Sequence, residues 1–220
     1  MNQPPLHPGE YYHLYNRANG SENLFREGAD YLRFLRLYDK YISPVANTYA
    51  WVLMANHFHT LVRIKEGMVY KYSKGDFKHT SPSNADRIRR GRNAVRFEEV
   101  KWETVNPSAS CGPDGVNGPI KNGKKASPTK HFSHLFNAYA KYINEKYDRH
   151  GSLFQRPFKR KQVEDEHYLR QIIDYVHNNA VHHGFVDHPS QYPWSSYLTH
   201  QSTGPTILQF DAVIDWFKVE

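Results

Sequence analysis

His57-Phe58-His59 lies inside an apolar, β-prone run, HFHTLVRI (57–64). Residues i and i+2 of a strand project to one face. The two imidazoles would therefore stand side by side and could take two positions on one divalent metal ion. Phe58 would point the other way, into a core. The same pair also reads as two ordinary polar strand residues. Tyr175 and Asn179 lie four apart in a helical pattern and so share a face. At about 100° from the centre of the apolar stripe, Tyr175 falls at the edge of the buried face, from where a phenol can reach into a cleft. Asn179 lies nearer the stripe, and its carbonyl can supply an oxygen ligand. The chain has 16 tyrosines, so spacing alone does not separate Tyr175 from a boundary tyrosine that packs its ring.

A third feature is QRPFKRK (155–161). One aromatic among basic residues suits phosphate and base contacts, or equally a solvated edge strand. His182-His183 read as loop residues past the helix. Cys111, alone in a Gly/Pro/Ser-rich stretch, has no evident His or Asp partner and is assigned no catalytic role. The chain contains no Gly-rich phosphate loop, no GxSxG and no HExxH.

The elements that must position these residues follow from periodicity. Residues 10–17 (EYYHLYNR) read as a strand and Asn19-Gly20-Ser21 as a turn. Apolar residues at Tyr31, Phe34, Leu35, Tyr38 and Ile42 predict a helix over 28–42, stopped by Pro44. Residues 48–54 and 57–64 predict a hairpin around Ala55-Asn56. The pattern then fails from 68 to 130, although residues 85–102 could hold a short basic helix. Residues 106–128 have the composition of a flexible loop. Phe132, Leu135, Phe136, Tyr139 and Ile143 predict a helix from Lys130 to near Gly151. Residues 152–163 read as extended, with Pro157 placing part of them at an edge or bulge. Residues 165–181 predict a helix burying Tyr168, Leu169, Ile172, Ile173 and Val176, with Gly184 as its stop. The tail holds HPSQYPWSSY and then a short apolar run.

With residues 68–130 set aside, the order is the βαββαβ pattern of an α+β, ferredoxin-like sandwich: an antiparallel sheet with helices on one face, plus an extra helix carrying Tyr175. The expected organisation is one domain over 1–198, interrupted by a basic, flexible insertion at 68–130, and a tail at 199–220 with a short helix. That fold hosts many functions, so function must come from the site.

Composition narrows the classes. With 220 residues, 39% hydrophobic and 15% aromatic, the chain can bury a core and is not a disordered polymer. No run approaches the roughly 20 apolar residues of a membrane helix. The opening MNQPPLHPGE lacks the features of a signal peptide, and one cysteine excludes an internal disulfide framework. A soluble, cytoplasmic protein without a membrane partner is expected. Lys plus Arg number 29 against 22 Asp plus Glu, a net charge of +7. Residues 68–130 carry 13 of the basic and 6 of the acidic groups, so the whole excess sits there. A concentrated basic segment points to a polyanion such as nucleic acid, or to a solvated loop.

Taken in order, the motifs resemble a known group. WVLMANHFHTLV (51–62) resembles the "W-V-hydrophobic-M-P-N-H-x-H" strand pair of single-tyrosine HUH transposases. GSLFQRPFKRKQVEDEHYLRQIIDYVHNNAVHHGFV (151–186), followed by YPWSSY, resembles the REP-associated tyrosine transposase branch, and YYHLYNRANGSENLF (11–25) looks like that branch's first strand and turn. The resemblance covers roughly 9–66 and 130–198. It departs at Ala180, where the pattern has proline after the asparagine, and in the long insertion.

Carried over residue by residue, the resemblance implies that His57 and His59 are the paired metal ligands, Asn179 the third ligand and Tyr175 the nucleophile, with Mg²⁺ or Mn²⁺ as cofactor. It implies cleavage and rejoining of single-stranded DNA at hairpins or REP-type palindromes through a 5′-phosphotyrosine link, by a monomer or a homodimer. Arg17, Gln155, Arg156, Phe158, Lys159, Arg160, Lys161 and Trp194 are the expected DNA contacts. Part of residues 87–96 would add phosphate contacts, and Phe154, Phe158 and Trp194 are candidates to stack on unpaired bases. Two other classes fit the same residues. One is a non-catalytic DNA- or RNA-binding module. The other is a hydrolase activating water at the histidine pair.

Overall fold

Alternation along the first strand, β1 (Tyr11–Arg17), sends Tyr12, Leu14 and Asn16 to one face and Tyr11, His13, Tyr15 and Arg17 to the other. The computed structural model describes residues 3–72, 102–105 and 124–200. By internal contacts the chain divides into two units, Met1–Glu66 with Ser127–Glu220, and Gly67–Ala126.

In the first unit, β1 is followed by α1 (Gly28–Ile42), β2 (Ala46–Met54) and β3 (His57–Ile64). After the second unit come α2 (Pro128–Lys146), β7 (Lys159–Val163), α3 (Glu166–His182), a 3₁₀ turn (Pro189–Gln191) and the short α4 (Tyr197–His200). The sheet is four-stranded in the order β2-β3-β1-β7, and every pairing is antiparallel. This is the ferredoxin-like α+β arrangement that the element order predicts.

The two sheet faces bury different helices. Tyr12, Leu14, Leu53, Phe58 and Val62 pack with Phe34, Leu37, Tyr38 and Ile42 of α1 and Phe132, Leu135, Phe136, Tyr139 and Ile143 of α2. Ala50, Val52, Met54, Leu61 and Val163 pack with Leu169, Ile172, Ile173, Val176 and Ala180 of α3. The extra helix therefore lies across the face opposite α1 and α2.

Element boundaries shift for local reasons. α2 begins at Pro128 rather than Lys130: the Ser127 carbonyl at the N-cap position accepts from the Lys130 and His131 N–H groups, and proline suits the first turn, where no N–H is needed. It ends at Lys146, with Asp148 in the left-handed region at φ 47°. α3 starts on Asp165, whose carboxylate accepts from Tyr168 N–H at 2.6 Å. Ala180 lets α3 run on to His182. There Gly184 (φ 71°) closes it, its N–H on Val181 O and that of Phe185 on Ala180 O, both at 2.9 Å. Of residues 152–163, only Lys159–Val163 is strand, at the sheet edge.

The segment after α3 covers the other edge, β2. Leu53 N–H donates to Trp194 O at 2.8 Å and Ser196 N–H to Trp51 O at 2.9 Å. Ser196 Oγ, fully buried, accepts from Trp51 N–H at 2.9 Å and lies 2.9 Å from His177 Nε2. Ser196→Ala should therefore cost about 1–3 kcal/mol, since a buried N–H and a buried imidazole each lose a partner. Urea unfolding should show the loss as a lower midpoint with an unchanged slope.

In the second unit, β4 (Val69–Tyr72), β5 (Trp102–Val105) and β6 (Lys124–Lys125) form a three-stranded antiparallel sheet in the order β5-β4-β6. This corrects the expectation of a loop through Lys124-Lys125 and of a helix reaching Trp102. The strands find their hydrogen-bond partners at long sequence separation, which local composition does not register. The rest of the expected basic helix over 85–102, the basic residues at 87–96 and the tail from 201 to 220 lie outside the described residues.

Candidate functional site

The tight two-residue connection Ala55-Asn56 delivers His57 as the first residue of β3, opposite Arg17 on β1, and places His59 opposite Tyr15. His13, Tyr15, Arg17, His57 and His59 thus rise from the sheet face that α3 crosses. α3 brings Tyr175 and Asn179 down onto this patch. The Tyr175 ring stands edge-on to His59 (centroids 5.3 Å) and to His13 (6.0 Å). Tyr175 is 39% exposed, whereas Asn179 is 1% exposed. One helical turn thus carries an exposed phenol and a buried amide.

The histidines are locally anchored. Asn56 Oδ1 lies 2.6 Å from His57 Nδ1 and can only accept, so Nδ1 carries the hydrogen and Nε2 the lone pair. His57 Nε2 faces Asn179 Oδ1 at 3.3 Å. His59 Nδ1 lies 2.9 Å from His13 Nε2. The ring of His183, at the end of α3, meets His57 edge-on at 5.2 Å. Burial, reinforced by Lys161, holds the His13 imidazolium down to about pKa 4. Burial and the neighbouring histidines hold His59 down to about 3. Burial also lowers His57, against the Asn179 contact that raises it. These imidazoles are neutral at pH 7, which leaves their lone pairs available.

These residues fit a divalent cation. His57 Nε2 and Asn179 Oδ1 are both acceptors and face each other, while Asn179 Nδ2 is buried without a hydrogen-bond partner. With the amide in this orientation, the pair is left unsatisfied by the protein alone. Two donors each ~2.1 Å from one ion, at right angles, lie about 3 Å apart, close to the observed separation. Among the described residues no three or more His, Cys, Asp or Glu side chains cluster as a metal site.

A cleft of about 530 Å³ opens beside the histidines, lined among others by Tyr15, Arg17, Asn56, Gln155, Lys159 and His183. The pleat divides the basic run that reads as continuous in the sequence. Lys159 and Lys161 rise on the histidine side. Arg160 points to the opposite face, where it donates to Thr129 Oγ1 (3.3 Å) and Gln3 O (3.4 Å) and lies over the Phe158 ring. Arg156, Phe158 and Arg160 line a second groove of about 890 Å³ along α2, and Asn16 and Gln155 line both.

Two residues offered for base stacking are placed otherwise. Phe154 is buried in the core against Phe136 (5.0 Å). Trp194 stacks on Tyr31 at 4.3 Å and 12°, on the α1 side of the sheet. That tyrosine occupies one face of the indole.

Sequence reasoning passed over His13, Asn56 and His183. His13 had a legible signal, since it shares the period-two face of Tyr11, Tyr15 and Arg17. His183, read as a loop residue, caps α3 with its N–H on Asn179 O at 3.1 Å.

No family model matches the chain, and no curated protein is similar to it. A solved structure is: that of a REP-associated tyrosine transposase bound to a REP hairpin, with 13% identity and a TM-score of 0.56. The match covers 96% of this chain and 95% of that one. This chain has that protein's fold, the one the motif resemblance implies. Among the described residues no helix is long and apolar enough to cross a membrane.

Proposed function

We propose that this protein is a single-stranded DNA endonuclease and strand transferase acting on hairpin-forming DNA, with Tyr175 as nucleophile. The observation that carries the reading is the exposed Tyr175 hydroxyl-bearing ring held edge-on to His59, above the His57–Asn179 pair and beside a cleft rimmed by Arg17 and Lys159. The likeness to a hairpin-bound transposase supports it.

In this reading His57 Nε2, His59 and Asn179 Oδ1 would hold Mg²⁺ or Mn²⁺, whose charge would offset that developing on a scissile phosphate. Arg17 and Lys159 hold the phosphates that flank it. The Tyr175 oxygen attacks phosphorus in line: the Tyr–O–P bond forms and the P–O3′ bond breaks. The phenol proton leaves, and the departing 3′ oxygen takes one up as a 3′-OH. The product is a 5′-phosphotyrosine ester. Its bond energy lets a second 3′-OH reverse the step and join strands without a nucleotide cofactor. Bases stacked in a duplex cannot reach this site, whereas an unpaired strand can, so an unpaired strand is the substrate in this reading.

The test is covalent capture. Labelled single-stranded hairpin oligonucleotides, incubated with the protein and Mn²⁺, should yield a protein–DNA band on a denaturing gel, and a chelator should remove it. Binding of these hairpins with neither cleavage nor adduct in Mn²⁺ would favour a binding module.

Lys159 supplies a further expectation. Lys159→Ala should weaken binding about equally across DNA sequences. It should also reduce the slope of log affinity against log salt by about 1, the signature of one lost phosphate contact. A salt series by fluorescence anisotropy measures both. An unchanged slope would remove Lys159 from the interface.

A further inference from the structure

Building on the metal-site reading above, we infer that His13 is a positioning residue that fixes the tautomer of His59. His13 is buried on β1, diagonal to His59, which pairs with Tyr15. Its Nε2 lies 2.9 Å from His59 Nδ1. The His59 ring lies side by side and nearly coplanar with His13 (centroids 5.1 Å, 25°), as a bond between ring nitrogens requires, and nearly parallel to Tyr15 (5.5 Å, 24°), which holds its plane.

One hydrogen lies between the two facing nitrogens. If His13 donates it, His59 must carry its own hydrogen on Nε2 and loses that nitrogen as a ligand. If His59 Nδ1–H donates to His13, His59 Nε2 keeps a lone pair. Only the second arrangement serves a cation. His13 then has to be an acceptor at Nε2, with its own hydrogen on Nδ1. His57 is held by the same logic, with Asn56 Oδ1 accepting from Nδ1. The two imidazoles of the pair are thus each anchored through Nδ1, one by an amide oxygen and one by a third histidine. Metal-bound histidines in general hold their orientation through such a bond at the second nitrogen, and losing it weakens metal affinity about 10- to 100-fold. His13 also touches the Tyr175 ring, so a single side chain orients one ligand and borders the nucleophile.

The experiment compares wild type, H13F, H13Q and H57A without DNA. Mn²⁺ binding is followed by the electron paramagnetic resonance of free Mn²⁺, and the His59 tautomer of wild type with and without Mg²⁺ by ¹⁵N–¹H correlation. Hairpin binding in a chelator serves as the fold control. Expected are an Nδ1–H tautomer at His59 and a Mn²⁺ dissociation constant about 10- to 100-fold higher in H13F. H13Q, whose amide oxygen reaches the position of Nε2, should bind within a few-fold of wild type. Mn²⁺ affinity in H13F equal to wild type, or a His59 hydrogen on Nε2, would overturn the inference. Should H13F fail the fold control, the wild-type tautomer and H13Q decide it. Equal Mn²⁺ binding by wild type and H57A would instead sink the metal reading, and this inference with it.

Discussion

Tyr175→Phe is expected to abolish the covalent protein–DNA adduct and to lower strand cleavage by at least about 10⁴-fold, the scale seen when a nucleophile is removed. Binding of the same hairpin should stay within a few-fold of wild type. The substitution takes away one oxygen from a ring that is 39% exposed and leaves its edge contacts to His59 and His13 in place. The fold should therefore be unaffected, and thermal melting should confirm this. The outcome separates the two catalytic classes that the residues allow. A phosphotyrosine mechanism loses cleavage and adduct together. If cleavage survives in the phenylalanine variant with no adduct, water is the nucleophile and the histidine pair is the site of a hydrolase.

Asp30→Ala is expected to be strongly destabilising, at about 3–5 kcal/mol. Asp30 is fully buried at the start of α1. Its carboxylate accepts from the backbone N–H of Arg26 (3.0 Å) and Glu27 (3.3 Å), from the hydroxyls of Tyr147 (2.7 Å) and Tyr142 (3.2 Å), and from Lys146 Nζ (2.6 Å). Removing it leaves five donors facing an empty space, one of them charged. The melting temperature should fall on the order of 10 °C, while Leu32→Ala on the exposed side of the same helix should change stability by less than about 0.5 kcal/mol.

The same carboxylate sets a pH dependence. Burial alone would push its pKa up. The Lys146 and Tyr147 bonds and the two backbone N–H groups outweigh burial and hold it below its ordinary value. A depressed folded-state pKa contributes stability that is fully present above the unfolded value, about 3.9. That contribution is lost as pH falls through the folded value. Acid unfolding below about pH 4 should therefore be less steep in Asp30→Ala than in wild type.

Much of this protein is written in local pattern. The stripe Phe132-Leu135-Phe136-Tyr139-Ile143 could only bury itself as a helix. The alternation around His57-Phe58-His59 could only be a strand, because period fixes which side chains share a face. The βαββαβ order then leaves few ways to assemble a sheet. For the same reason His57 and His59 could be paired, and Tyr175 matched to Asn179, before any contact between the two pairs was visible.

What local pattern could not hold is anything that depends on two distant segments meeting. That α3 lies on the sheet face opposite α1 and α2, and so sets Tyr175 over His59, follows from which apolar face each helix found. So does the third histidine, His13, which is 46 residues from its partner in sequence and 2.9 Å away in space. QRPFKRK reads as one basic patch, but the pleat of β7 sends Lys159 to the site and Arg160 away from it. Trp194, visible in sequence only as part of the YPWSSY motif, stacks on Tyr31 and binds the edge of β2 through its carbonyl. Asp30 looks like any acidic residue in a first turn until Tyr142, Lys146 and Tyr147 close over it. Side-chain periodicity is a property of neighbours along the chain and survives in the sequence. Hydrogen-bond partnership and burial are properties of neighbours in space, and they exist only once the sheet and its three main helices are assembled.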